Sequence, residues 1–135
     1  MVVVIASSLS GCKYMWWSEE DCRQEASKQV ADLKRAVSQY LPEPIGAALE
    51  GQDGCDSGDE GGWLSATVDR TADVEGIIGR FTAQGWTRIE LQPTACNVKC
   101  IAGVSGRWNE RVIEVVIGET QNDEYLEVTA EFVNL

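Results

Sequence analysis

The sequence predicts an α+β domain with a long N-terminal helix, one βαβ crossover and an antiparallel meander. Three observations carry this. Cys22, Ala26, Val30, Leu33, Val37 and Tyr40 recur every three or four residues, the spacing of one apolar helix stripe. Strict alternation, the period of a half-buried strand, takes over at Leu64, Ala66 and Val68 and is clearest at Leu126, Val128, Ala130 and Phe132. Between these, Val74, Ile77, Ile78 and Phe81 fit positions i, i+3, i+4 and i+7 of a second, shorter helix. The order α-β-α-β-β-β-β then places both helices on one face of a mostly antiparallel sheet.

The first helix starts at Ser18, whose hydroxyl suits an N-cap, with Glu19, Glu20 and Asp21 at the positive end of its dipole. Trp17, just before the cap, is placed to staple over Cys22, which favours packing Tyr14, Trp16 and Trp17 against the domain; the competing reading puts these aromatics at a lipid headgroup layer. Lys28, Lys34 and Arg35 lie outside the stripe, and Pro42-Glu-Pro44 stops the helix after about Gln39 or Tyr40. Residues 51–62, GQDGCDSGDEGG, read as a glycine-rich loop. A strand follows Trp63. The second helix is capped by Thr71 or Asp73 and ended by Gly85 in a Schellman turn that brings Trp86 onto Phe81. Gly76 and Gly79 weaken it, which points to a close approach to the sheet or to a merely weak helix. Strands are expected at Thr87 to Gln92, Ile101 to Trp108, Val112 to Gly118 and Tyr125 to Val133, with hairpin turns at Asn109-Glu110 and Thr120 to Glu124.

At 135 residues the chain holds one hydrophobic core, and 44% hydrophobic with 24% charged residues is a globular composition. Twenty-two acids against 11 Lys and Arg give a net charge of −11, which disfavours contact with phosphate backbones, so no nucleic-acid partner is expected. Histidine is absent, which removes the commonest general base and metal ligand. Val2 to Leu9 is far shorter than the ~20 apolar residues of a membrane-spanning helix.

That run ends in Leu9-Ser10-Gly11-Cys12, a branched apolar residue, two small residues and a cysteine. The pattern resembles the lipobox of bacterial lipoproteins. The resemblance implies cleavage before Cys12 and a diacylglyceryl group on its thiol, and two acyl chains hold a protein to a bilayer where one does so marginally. Residues 1–11 then read as a truncated signal peptide lacking basic residues, 12–18 as the lipidated cysteine and a short tether, and 19–135 as the single domain. The competing reading is a buried N-terminal strand over Val2 to Leu9. Setting Cys12 aside leaves Cys22, Cys55, Cys96 and Cys100, an even set for two disulfides, with all three connectivities open. Gly54-Cys55-Asp56-Ser57-Gly58 and Gln84-Gly85-Trp86, in this order of elements, also resemble small actinobacterial envelope lipoproteins of unknown function.

Candidate chemistry is sparse. Asp53, Asp56, Asp59 and Glu60 are candidate cation ligands, but no register of their loop supplies the EF-hand pattern, and no metal site is assigned. Cys96 and Cys100 are spaced C-x-x-x-C before a strand, unlike the C-x-x-C at a helix start that redox catalysis uses. Ser57 lacks both a nucleophile-elbow pattern and a histidine to activate it, so no catalytic residue is assigned. On the last strand, Tyr125, Glu127, Thr129 and Glu131 face away from the apolar side and are the candidate binding face. The expectation is therefore a membrane-anchored, disulfide-stabilised envelope lipoprotein on the extracytoplasmic face. It acts as a non-catalytic binding module for an unidentified envelope protein or ligand, with no cofactor beyond the lipid on Cys12. Alternatives are an envelope enzyme using carboxylates or a Cys96/Cys100 thiol pair, and a lipoprotein inhibitor such as a phage exclusion factor.

Overall fold

The computed structural model describes residues 18–57, 61–92 and 96–133. Helix α1, Glu19–Val37, opens on a reciprocal cap. The Asp21 N–H donates to Ser18 Oγ at 3.1 Å, and the Ser18 N–H donates to the Asp21 carboxylate at 3.2 Å. Its buried residues are Cys22, Ala26, Leu33, Ala36 and Val37, while Val30 and Tyr40 pack at the margin of the core. Trp17, the expected staple, lies outside the described residues. The chain tightens to a 3-10 turn over Ser38–Tyr40 before the prolines.

Pro42 and Pro44 do more than stop that helix, because they open a second one, α2, Glu43–Ala48. Proline suits a first helical turn, where its missing N–H would have no intrahelical partner. Next comes strand β1, Glu50–Asp53, inside the stretch expected to be loop. All four of its residues are exposed, so it leaves no apolar alternation to read. A 3-10 turn at Cys55–Ser57 leads toward β2, Gly62–Asp69.

Helix α3, Val74–Thr82, is capped by Asp73, whose carboxylate accepts from the Gly76 N–H at 3.0 Å. Thr71, the other candidate, instead donates its N–H and hydroxyl to Asp69. The Schellman turn forms as expected. The Trp86 N–H donates to the Phe81 carbonyl and the Gly85 N–H to that of Thr82, with Gly85 at φ 91°. Strands β3, Thr87–Arg88, β4, Cys100–Trp108, β5, Arg111–Glu119, and β6, Tyr125–Phe132, complete the chain. Asn109 and Glu110 both take positive φ, 49° and 67°, in the two-residue turn between β4 and β5.

The strand order is β1-β2-β6-β5-β4-β3, and every neighbouring pair is antiparallel. Counting directions along that order, β2 and β3 point the same way with β6, β5 and β4 between them. The expected βαβ crossover is therefore present, but it strides over three strands instead of joining neighbours. The meander β4-β5-β6 fills the gap because β6 registers on β2 from Trp63↔Glu131 to Asp69↔Tyr125.

One sheet face carries Leu64, Ala66, Val68, Ala102, Val104, Ile113, Val115, Ile117, Leu126, Val128 and Ala130, all buried against α1 and α3. Tyr40, Phe81 and Trp86 form an edge-to-face cluster with centroids 4.9–5.9 Å apart. The Trp86 ring lies directly on Gly106 of β4, where any Cβ would collide with it. The close helix approach expected at Gly76 and Gly79 occurs elsewhere. A Cβ at Gly62 would meet the Ala26 carbonyl oxygen at 2.6 Å, whereas one at Gly79 would meet nothing within 4 Å. Gly79 thus reads as a plain weakness of α3.

Strand β3 is shorter than the expected Thr87 to Gln92. After the Ile89 N–H donates to the Gly103 carbonyl, the chain turns away, with Ile89 and Leu91 over Gly103 on the sheet face opposite the helices. A side chain at residue 103 would occupy that space.

Candidate functional site

The start of α1 is tied to the β1–β2 connection. Cys22 and Cys55 form a disulfide with Cα atoms 5.8 Å apart. Beside it, Arg23 bridges Glu19 at 2.7 Å and Asp56 at 2.9 Å. The Glu19 carboxyl is raised above its ordinary value, first through its hydrogen bond with Asp56, while that same bond and Arg23 lower Asp56. Gln29 Oε1 accepts from the Gly62 N–H at 2.7 Å, so α1 is anchored to β2 as well. Of the candidate cation ligands, Asp53 accepts from the Cys55 N–H and Asp56 faces Arg23; Asp59 and Glu60 lie outside the described residues. Among the described residues, no three His, Cys, Asp or Glu side chains converge as a metal cluster.

Cys96 and Cys100 form the second disulfide, Cα atoms 5.4 Å apart, closing a four-residue step at the start of β4. Neither sulfur of this pair is a free thiol in the structure. The Cys96 sulfur sits over Gly118, the Glu119 N–H donates to the Lys99 carbonyl at 2.7 Å, and the loop rises as a wall at one corner of the sheet. Val98 and Ile101 on its outer side are 47% and 39% exposed, an apolar step at the sheet edge.

The sheet face away from the helices carries the candidate binding residues. Strand alternation places Tyr125, Glu127, Thr129 and Glu131 there together with Trp63, Ser65 and Thr67 of β2 and Val112, Glu114 and Val116 of β5. Tyr125 is 40% exposed. Thr129 donates to the Val116 carbonyl at 3.5 Å. Glu131 stands directly opposite Glu114 on β5 and Trp63 on β2. Like charges directly opposite destabilise a sheet. The Glu131 carboxyl, although its side chain reaches solvent, is accordingly raised, chiefly by partial burial and then by Glu114.

The sign of that shift fixes a prediction. A carboxyl whose pKa is higher folded than unfolded binds more protons in the folded state above 4.5, so its contribution to stability falls as pH rises through that window. Glu131→Gln is expected to stabilise the fold at pH 7 by about 0.5 kcal/mol, a small value because solvent screens the site. Thermal melts at pH 7 and pH 4 measure this; the gain should vanish at pH 4. A variant less stable than wild type at pH 7 would contradict it.

On the helix side, a groove of about 700 Å³ opens between α2, the end of β2 and α3. Pro42, Ile45, Val68, Ala72 and Ile77 give it apolar walls, with Asp69, Asp73 and Arg80 among its polar residues. Both carboxylates have local duties, Asp69 in the Thr71 turn and Asp73 at the α3 cap. Thr71 holds the Asp69 carboxyl below its ordinary value. The sequence gives no sign of this groove, because its walls come from three segments whose spacing has no shared period.

Comparison with known proteins decides little. No family model, no curated protein and no solved structure matches this chain. The functional reading rests on residues and geometry alone. Cys12 lies outside the described residues, as do Tyr14 and Trp16. No helix among the described residues is long and apolar enough to cross a membrane.

Proposed function

We propose that this protein is a lipid-anchored, disulfide-stapled binding module of the bacterial envelope, held at the extracytoplasmic membrane face through a diacylglyceryl group on Cys12, and that it works without catalysis. The observation that carries this is the pairing of cysteines. Cys22 bonds Cys55 and Cys96 bonds Cys100, so the one cysteine left over is the cysteine of the LSGC motif. Two disulfides suit an oxidising compartment, and the leftover thiol sits where a lipobox would lipidate it.

The paired state of Cys96 and Cys100 weighs against the thiol-enzyme alternative, because a thiolate is the reactive form and neither sulfur is free. Carboxylates remain; of the shifted ones, Glu19, Asp56 and Glu75 lie in ion pairs at the surface, Asp69 holds the Thr71 turn, and Glu131 stands opposite Glu114 on the sheet. The polar sheet face and the groove are the two surfaces we assign to binding.

The test is expression behind a complete leader, followed by detergent-phase partitioning and intact mass. Wild type is expected in the detergent phase, with the mass of a chain starting at Cys12 plus the lipid and lacking four cysteine hydrogens. Cys12→Ala is expected in the aqueous phase. Equal partitioning of the two would end the lipoprotein reading.

A further inference from the structure

We infer that the sheet face opposite the helices docks a basic protein surface, a partner presenting clustered Lys and Arg side chains. This deepens the binding-module reading and rests on it. Strand register puts Glu50, Glu114, Glu127 and Glu131 on this face, each from β1, β5 or β6. Among the described residues, none of the four is in an ion pair. Register places one strand cation there, Arg107, opposite Val112.

Most of the other described cations are directed elsewhere, while Lys99 stands in the Cys96–Cys100 loop at the side of this face. Arg23 serves Glu19 and Asp56, Arg70 serves Glu119, Arg88 serves Glu75, and Arg111 lies over the Phe132 ring at 3.5 Å. Lys28, Lys34 and Arg35 are on α1 and Arg80 on α3, across the sheet. Among the described residues, Glu20, Glu25 and Glu43 also stand outside any ion pair, but they lie on the helices, whereas Glu50, Glu114, Glu127 and Glu131 share one sheet face. Glu114 and Glu131 even stand as a like-charged cross-strand pair, an arrangement that costs stability in the isolated fold. A partner's cation between them would relieve that repulsion.

Shape fits the same occupant. Half-buried Trp63 flanks Glu131 on β2, and Tyr125 is exposed at the far end of β6, so an aromatic residue stands at each end of the β6 carboxylates, where rings favour guanidinium or ammonium groups. Cys96 and Asn97 raise the wall at one side, with Glu127, Thr129 and Val116 at its foot. The wall limits how a partner can lie. The complementary charge steers approach and selects against acidic partners.

A labelled decalysine peptide, titrated by fluorescence anisotropy into the full chain at low salt, tests the inference. Three proteins are compared: wild type, a face triple of Glu114→Gln, Glu127→Gln and Glu131→Gln, and a helix-layer triple of Glu20→Gln, Glu25→Gln and Glu43→Gln. Both triples change net charge equally. The face triple is expected to bind at least tenfold more weakly, and the helix-layer triple within twofold of wild type. Equal weakening would mean that net charge alone attracts the peptide and would overturn the inference. So would absence of binding by the wild type, or a neutral chitohexaose that binds in competition with the peptide and survives the face triple. Circular dichroism of each triple confirms folding, and Trp63→Ala gives an independent reading of the same face. The assay does not depend on lipid, so its failure leaves the anchor at Cys12 standing, and loss of the anchor leaves this surface standing.

Discussion

Replacing Cys22 and Cys55 together by alanine is expected to destabilise the domain by about 3–4 kcal/mol and to lower its melting temperature by about 10–15 °C. The bond joins residues 33 apart in sequence, so it removes far more freedom from the unfolded chain than the bond between Cys96 and Cys100, which are four apart. The same chain-entropy argument gives the shorter bond about 2 kcal/mol. The long bond also acts in the folded state. Cys22 is buried in the first turns of α1, and the β1–β2 connection reaches it only because Gly62 lets β2 lie against Ala26. Differential scanning calorimetry of the two double-alanine proteins checks the ranking. If the Cys96/Cys100 pair proved the more costly loss, the unfolded chain would not be the main place where these bonds act.

Phe81→Ala is expected to cost about 3–5 kcal/mol, the range for emptying a buried aromatic site. Phe81 is fully buried and touches both other rings of its cluster, Tyr40 at 5.5 Å and Trp86 at 4.9 Å between centroids. It also supplies the carbonyl that closes the Schellman turn. The cavity cannot collapse easily, because Trp86 is held against the bare backbone of Gly106 and Tyr40 ends the 3-10 turn after α1. Urea denaturation followed by tryptophan fluorescence measures the loss. A cost below about 1.5 kcal/mol would mean that the cluster repacks around the missing ring.

Legibility followed periodicity. Helices α1 and α3 and strands β2, β4, β5 and β6 each repeat an apolar residue at one period for two turns or three pairs, and each formed where its pattern lies. Local chemistry was also readable, as at Ser18, Asp73 and Gly85, where one residue's hydrogen bond or φ decides an end. Strand β1 was not, because its four residues, Glu50 to Asp53, are all exposed and leave no apolar alternation, while its pairing with β2 is a long-range backbone contact. The premature end of β3 was hidden too, since Ile89 and Leu91 keep the strand pattern while covering Gly103. Disulfide partners were open by count and became fixed only when the fold set Cys55 beside the start of α1. The polar residues of β6 were visible as a face, but the like-charged pairing of Glu114 with Glu131 depends on strand register, which no local window contains.

With the proposed anchor at Cys12, the position of Cys22 along the fold bears on which end of the domain lies nearer the membrane. α1 begins at the Gly62 end of β2, and β2 then runs eight residues to Asp69, about 23 Å at the usual rise of a strand. The groove at Asp69 and the wall at Cys96 belong to that remote end, with Tyr125 and Glu119 beside them. A chain tied down just ahead of Ser18 would present those strand ends outward, clear of the lipid headgroups, where large molecules that never touch the membrane can reach them.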